Sequence, residues 1–126
     1  MPLNRWLTVA AVNGAVAVIA GAFAAHALKT ALPADMVEVF KTGAQYELAH
    51  ALALGLVAFA IPHDTTGRAR LAGWLFLIGI VLFSGSLYVL ALTGIKVLGI
   101  ITPFGGVAFI AGWLALAAAG LQQRTG

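Results

Sequence analysis

Glu47 and His50 are the residues whose type and spacing invite chemistry. They stand three apart in an otherwise apolar stretch, so a helix puts them on nearly the same face, beside Gly43, Tyr46 and Leu54. A carboxyl and an imidazole so placed can pass a proton or hold a ligand. With His26 they would also offer two nitrogens and an oxygen suited to iron or zinc. Metal binding is the weaker idea, because a di-iron bundle needs a second Glu-x-x-His pair and this chain has one. Haem held between His26 and His50 has less support still. There is no cysteine, hence no thiolate ligand, disulfide or cysteine nucleophile. No other nucleophile stands beside a base and no cofactor motif occurs, so no catalytic residue, metal or cofactor is expected. His63 reads as a solvated turn residue, and Gly105 with Gly106 reads as close helix packing rather than a phosphate loop.

The elements that must position these groups are membrane spans. Of the 126 residues 62% are hydrophobic and only 9% are charged, and the mean hydropathy is +1.02, far from the balance of a soluble domain. Four spans of roughly 20 residues each use up the length, so a single all-α membrane domain, a four-transmembrane-helix bundle, is predicted over 1–126. The spans fall at about 3–28, 42–61, 71–92 and 103–121. The pI near 9.8 comes from Arg5, Lys29, Lys41, Arg68, Arg70, Lys96 and Arg124, which flank apolar runs as interfacial charges do. They form no phosphate-tracking patch, which argues against nucleic acid and leaves membrane lipids as the surroundings. Arg5 and the apolar run ending in Ala22, Ala24, Ala25 and Ala27 imitate a secretory signal, but the uncharged stretch from Trp6 to Leu28 suits a full span.

Pro33 suits a first helical turn, with Asp35 and Glu38 favouring the positive end of that helix dipole. A helix from there to about Ile61 would be roughly 42 Å long, more than the hydrocarbon core of about 30 Å. Residues 34–41 are therefore expected in the headgroup region. Pro62 to Gly67 is a polar turn; Thr102 before Pro103 is a helix start with threonine as cap, and 96–101 is a compact turn at the membrane surface. Small residues at Ala10, Gly14, Ala17, Gly21 and Ala25 form a smooth seam on the first helix. Gly43, Gly85, Gly105, Gly106 and Gly112 add helix-packing positions, and Gly73 and Gly79 further packing surface that four helices need not use up internally.

An even number of spans puts both termini on one side with Arg5, Arg68, Arg70 and Arg124, against Lys29, Lys41 and Lys96 on the other. Four against three favours cytoplasmic termini in a multi-pass inner-membrane protein. With the lysines marking one interface, the rise per residue puts His26 about 4.5 Å deep, Glu47 about 9 Å, Tyr88 about 12 Å and His50 about 13.5 Å, with Ser84 and Ser86 slightly deeper. Asn13 belongs to the opposite half. The candidate polar site is thus His26, Tyr46, Glu47, His50, Ser84, Ser86 and Tyr88. One reading makes it a proton or ligand site; the other makes it a hydrogen-bond network that fixes helix packing.

Four segments in order resemble the YgdD-like family of small conserved membrane proteins, which includes the animal transmembrane protein 256. They are Gly21-Ala22-Phe23-Ala24-Ala25-His26-Ala27-Leu28; Thr42-Gly43 with Tyr46, His50 and Ala51; Ser84-Gly85-Ser86-Leu87-Tyr88 running to Leu92-Thr93-Gly94; and Thr102-Pro103-Phe104-Gly105-Gly106 with Gly112-Trp113. The resemblance implies a four-helix membrane fold without an assigned activity. It also implies recurrent His26, Tyr46, His50 and Tyr88 positions, and commonly glycine where this chain has Ala24. The expected role is a non-enzymatic membrane protein, self-associating as a homo-oligomer or accessory to a larger membrane complex. The alternative is a small transporter or proton-linked carrier working through Glu47 and His50.

Overall fold

The computed structural model describes residues 4–123, with side chains to residue 121. Arg124, counted above among the terminal-side charges, lies outside the described residues. Helix α1 (Arg5–His26) is capped by Asn4, whose side chain accepts from the Leu7 amide at 3.2 Å and donates to the Ala58 carbonyl at 3.4 Å. The first helical run breaks at Ala27, earlier than the predicted 28. A single turn, α2 (Leu28–Ala31), leads through extended Leu32 to Pro33. Pro33 is not in the first turn of the next helix but just before it, as the cap of α3 (Ala34–Ala60), with φ −55° and ψ 149°. Residues 34–41 are helical, and Lys41 Nζ lies 3.6 Å from Glu38 Oε1, a surface pair.

A 3-10 turn (Ile61–His63) and a polar loop precede α4 (Arg68–Gly79). Asp64 organises that loop. Its Oδ1 accepts from the Thr66 hydroxyl at 2.6 Å and the Thr66 amide at 2.9 Å, and its Oδ2 accepts from the Ala69 amide at 2.7 Å. The Thr66 hydroxyl, then the Ala69 amide, hold the Asp64 carboxyl below the usual aspartate range. A depressed folded-state pKa gives stability that is present above the unfolded pKa and lost as pH falls through the folded one. Asp64→Ala removes the acceptor of the Thr66 and Ala69 bonds and is expected to lower the melting temperature at neutral pH by a small amount, solvent screening keeping the loss below about 1 kcal/mol. Melting curves of the two proteins should converge as pH falls below about 3.9, the free aspartate pKa; a gap unchanged at acid pH would contradict the assignment. His63 is exposed in the same loop.

The third span, expected as one plain helix, instead changes pitch. After α4 comes a π-helical stretch (Ile80–Gly85), then α5 (Ser86–Thr93). Opposite this stretch, Gly105 of α6 (Thr102–Gln123) meets the backbone of Leu82 and Phe83, and a Cβ on Gly105 would collide with the Phe83 amide nitrogen and come 2.8 Å from Leu82 C. Between α5 and α6, Gly94 (φ 71°) ends the helix and a 3-10 turn (Lys96–Ile100) with no buried residue makes the connection. Thr102 is the first residue of α6 rather than its cap. Its hydroxyl pairs with Ser86 Oγ at 2.7 Å across the helices.

α3 is the central helix: it packs against α1, α4, the π stretch and α5, while α6 packs on α4 and the π stretch. Two apolar clusters result. One joins Ala10, Leu54, Val57, Phe76, Ile80 and Phe109; the other joins Ala20, Ala24, Leu28, Val37, Phe40 and Ala91. Ala24, where the resembling family commonly has glycine, is fully buried, so the extra methyl fills space in the second cluster. Outward, Leu7, Ile19, Leu52, Phe59, Val81, Phe104 and Leu114 are exposed. Four segments are long and apolar enough to cross a membrane, from Arg5, Ala34, Arg68 and Lys96 onward. A surface this apolar is suited to lipid.

The packing glycines divide sharply. A Cβ on Gly43 would come 2.9 Å from the Tyr88 ring, on Gly73 2.6 Å from Trp6, and on Gly112 2.7 Å from Phe76, while one on Gly79 would strike Phe109. Gly105 and Gly112, expected as packing positions, and Gly73 and Gly79, expected as further packing surface, thus all meet neighbouring helices inside the bundle. A Cβ on Gly14, Gly85 or Gly106 would meet its nearest neighbour at 3.9 to 4.0 Å and one on Gly21 would meet nothing within 4 Å, so none of these four positions requires glycine.

Candidate functional site

The polar groups of α3 lie between the two apolar clusters, bracketed by Ala44 on one side and Ala53 on the other. Glu47 is 4% exposed and accepts a hydrogen bond from the Tyr88 hydroxyl at 2.7 Å, linking α3 to α5. The tyrosine reaches it because Gly43, one turn earlier, has no side chain; the ring lies over that glycine and beside Phe40, ring centroids 4.7 Å apart.

His50 is 5% exposed and turns to a different helix. Its Nε2 accepts from the Trp113 indole N–H of α6 at 3.1 Å, and its Nδ1 lies 2.7 Å from the Tyr46 carbonyl. An indole nitrogen only donates, so Nε2 must carry the lone pair and Nδ1 the hydrogen, which it gives to Tyr46. Both ring nitrogens are thereby engaged in a neutral imidazole. Phe109 stacks on the ring at 3.6 Å with planes 9° apart, and Phe76 and Trp113 stand at its sides. An aromatic box with both nitrogens occupied holds the imidazole in one orientation and leaves neither nitrogen open to a metal ion.

Tyr46 contributes its carbonyl to His50, while its ring is 44% exposed and lies 4.6 Å from that of Phe83. Ser86 donates to the Phe83 carbonyl at 2.9 Å and meets Thr102, away from Glu47. Ser84 is fully buried, and its hydroxyl has no partner among the described residues. His26 is exposed at the end of α1 and its ring has no hydrogen-bond partner among the described residues, so it stands apart from the buried pairs. Asn13 donates to its own helix, to the Val9 carbonyl at 2.9 Å. Among the described residues, no three His, Cys, Asp or Glu side chains converge as a metal site would require.

Four participants were not among the predicted site residues: Trp113, Phe109, Phe76 and Thr102. A usable signal existed for Trp113, because eleven residues of rise from Thr102 put its indole about 16 Å deep, at the level of His50. The apolar Phe109 carries no such mark. Thr102 reads in the sequence as a cap, a role that gives no hint of its bond to Ser86.

Comparison with known proteins adds the lineage. Residues 20–106 match the family model described as "Protein of unknown function (DUF423)". UPF0382 membrane protein YwdK of Bacillus subtilis is 47% identical over 121 residues, covering 95% of this chain and 98% of the relative. UPF0382 membrane protein SSP2132 of Staphylococcus saprophyticus is 46% identical, covering 90% and 94%. A UPF0382 membrane protein of Haemophilus influenzae is 40% identical, covering 97% and 98%. No solved structure matches the chain. With most of its length matched by the family model and nearly all of it shared with these relatives, the chain belongs to the DUF423 family of UPF0382 membrane proteins.

Proposed function

We propose that this protein is a non-enzymatic, multi-pass inner-membrane protein that works by association, with a second copy or with a larger membrane complex. Its buried ionisable groups serve as locks between its own helices. The observation that carries association is Gln45. It is exposed on the outer side of α3, one turn below Lys41 and so about 6 Å into the bilayer, with no hydrogen-bond partner among the described residues. It lines a groove of about 560 Å³ between α1 and α3, with Ala17, Gly21, Ala22 and Leu48. Small residues beside a polar amide let a neighbouring backbone approach and offer it a hydrogen bond, the usual basis of helix association in lipid.

Both termini are assigned to the cytoplasm, supported by the arginines at that end against three lysines at the other. The absence of native cysteine makes the association directly testable. With Ala22→Cys, an exposed groove residue that leaves Gln45 in place, and a thiol-to-amine cross-linker in intact membranes, the expected product is heavier than the 12.9 kDa chain, at twice its mass for self-association or at another discrete mass for a heterologous partner. Gly21→Leu, which has room at its own position, should fill the groove and abolish that product without changing the melting temperature. Monomer alone, or a product indifferent to Gly21→Leu, would contradict the proposal.

A further inference from the structure

At the opposite end from Lys41, the first turns of α1 and α4 meet around a second groove, of about 290 Å³, lined by Arg5, Trp6, Val9, Arg70 and Trp74. The two indoles meet edge to face, centroids 5.4 Å apart and planes at 82°. Trp6 is held there by Gly73, since a Cβ on that residue would intrude 2.6 Å from its ring. Both arginines are exposed, and neither has a carboxylate partner among the described residues. Asp64, the one described acid in the adjoining loop, spends its oxygens on Thr66 and Ala69.

Two unneutralised guanidinium groups flanking an apolar slot with an aromatic pair match one kind of ligand in a bilayer. Guanidinium forks bind phosphate oxygens bidentately, indoles settle at the level of headgroup and glycerol, and the Val9 end of the slot admits the start of an acyl chain. We infer that this groove is a binding site for the phosphodiester headgroup of one anionic phospholipid, gripped by Arg5 and Arg70 and seated against Trp6 and Trp74. The site is independent of the association groove, which lies at the other end of α1.

The test uses the full chain in a neutral detergent, with native mass spectrometry reading bound lipid during titration with phosphatidylglycerol, phosphatidylcholine or inorganic phosphate. One phosphatidylglycerol should be retained in preference to phosphatidylcholine. Arg5→Gln and Arg70→Gln should each weaken it roughly fivefold, and the double variant roughly 25-fold, with lipid-free melting unchanged because both side chains are on the surface. The pair Lys29→Gln with Lys96→Gln, at the other interface, should leave binding intact. Equal retention of phosphatidylcholine, an unaffected double arginine variant, or an equal loss from the lysine pair would overturn the site. Displacement of the lipid by equimolar inorganic phosphate would overturn the lipid as its occupant.

Discussion

Gly105→Ala is expected to cost about 1–3 kcal/mol, the range for forcing extra atoms into a filled interior, and to lower the melting temperature in detergent by several degrees. The added methyl would meet the backbone of Leu82 and Phe83, and backbone cannot swing aside as a side chain can. Relief would require α6 to move away from the π stretch, opening the Ser86–Thr102 pair and shifting Phe109 from the face of His50. The neighbouring position supplies the control. A Cβ on Gly106 would sit 4.0 Å from the Phe83 ring, an ordinary contact, so Gly106→Ala should gain up to about 1 kcal/mol from the better helix former. Opposite signs at adjacent glycines are the expected result; equal losses would mean that the α6 approach to the π stretch is not what Gly105 provides.

Glu47 gives the second large effect. Glu47→Leu keeps bulk but removes the acceptor, leaving the Tyr88 hydroxyl without its partner in the bundle interior. The expected cost is about 1–2 kcal/mol, the overlap of the penalty for an orphaned buried donor and the upper range for interhelical bonds in lipid. Glu47→Gln retains a carbonyl oxygen that can accept from Tyr88, so it should melt within about 0.5 kcal/mol of the native protein. A Gln variant as unstable as the Leu variant would show that the carboxyl does something other than accept that bond.

Much of this arrangement was legible from composition and punctuation. Apolar runs separated by Pro33, Pro62 and Pro103 with flanking basic residues mark four crossings, because hydrocarbon imposes length and excludes charge. The depth of Glu47 and Tyr88, read from rise per residue, brings them to nearly the same level. What depth cannot supply is azimuth. Glu47 and His50 are on nearly the same face of α3, yet the first bonds to Tyr88 of α5 and the second to Trp113 of α6. His26 has a suitable depth but exposed placement, because the face of α1 turned to α3 carries Ala10, Ala17 and Ala24. The π stretch carries no mark in the apolar residues of the third span, and Gly105, whose backbone meets it, lies twenty residues or more along the chain. For the same reason Gly73 and Gly112 could be recognised as small without revealing that Trp6 and Phe76 fill the space over them.

The central claim is that the buried ionisable residues hold the bundle together rather than move protons. An imposed pH gradient across proteoliposomes, with wild-type protein and Glu47→Gln reconstituted at equal density, measures this directly. The expected result is the same proton leak for both, equal to that of protein-free vesicles. A wild-type flux that Glu47→Gln abolishes while remaining folded would contradict the claim and make Glu47 a titrating station.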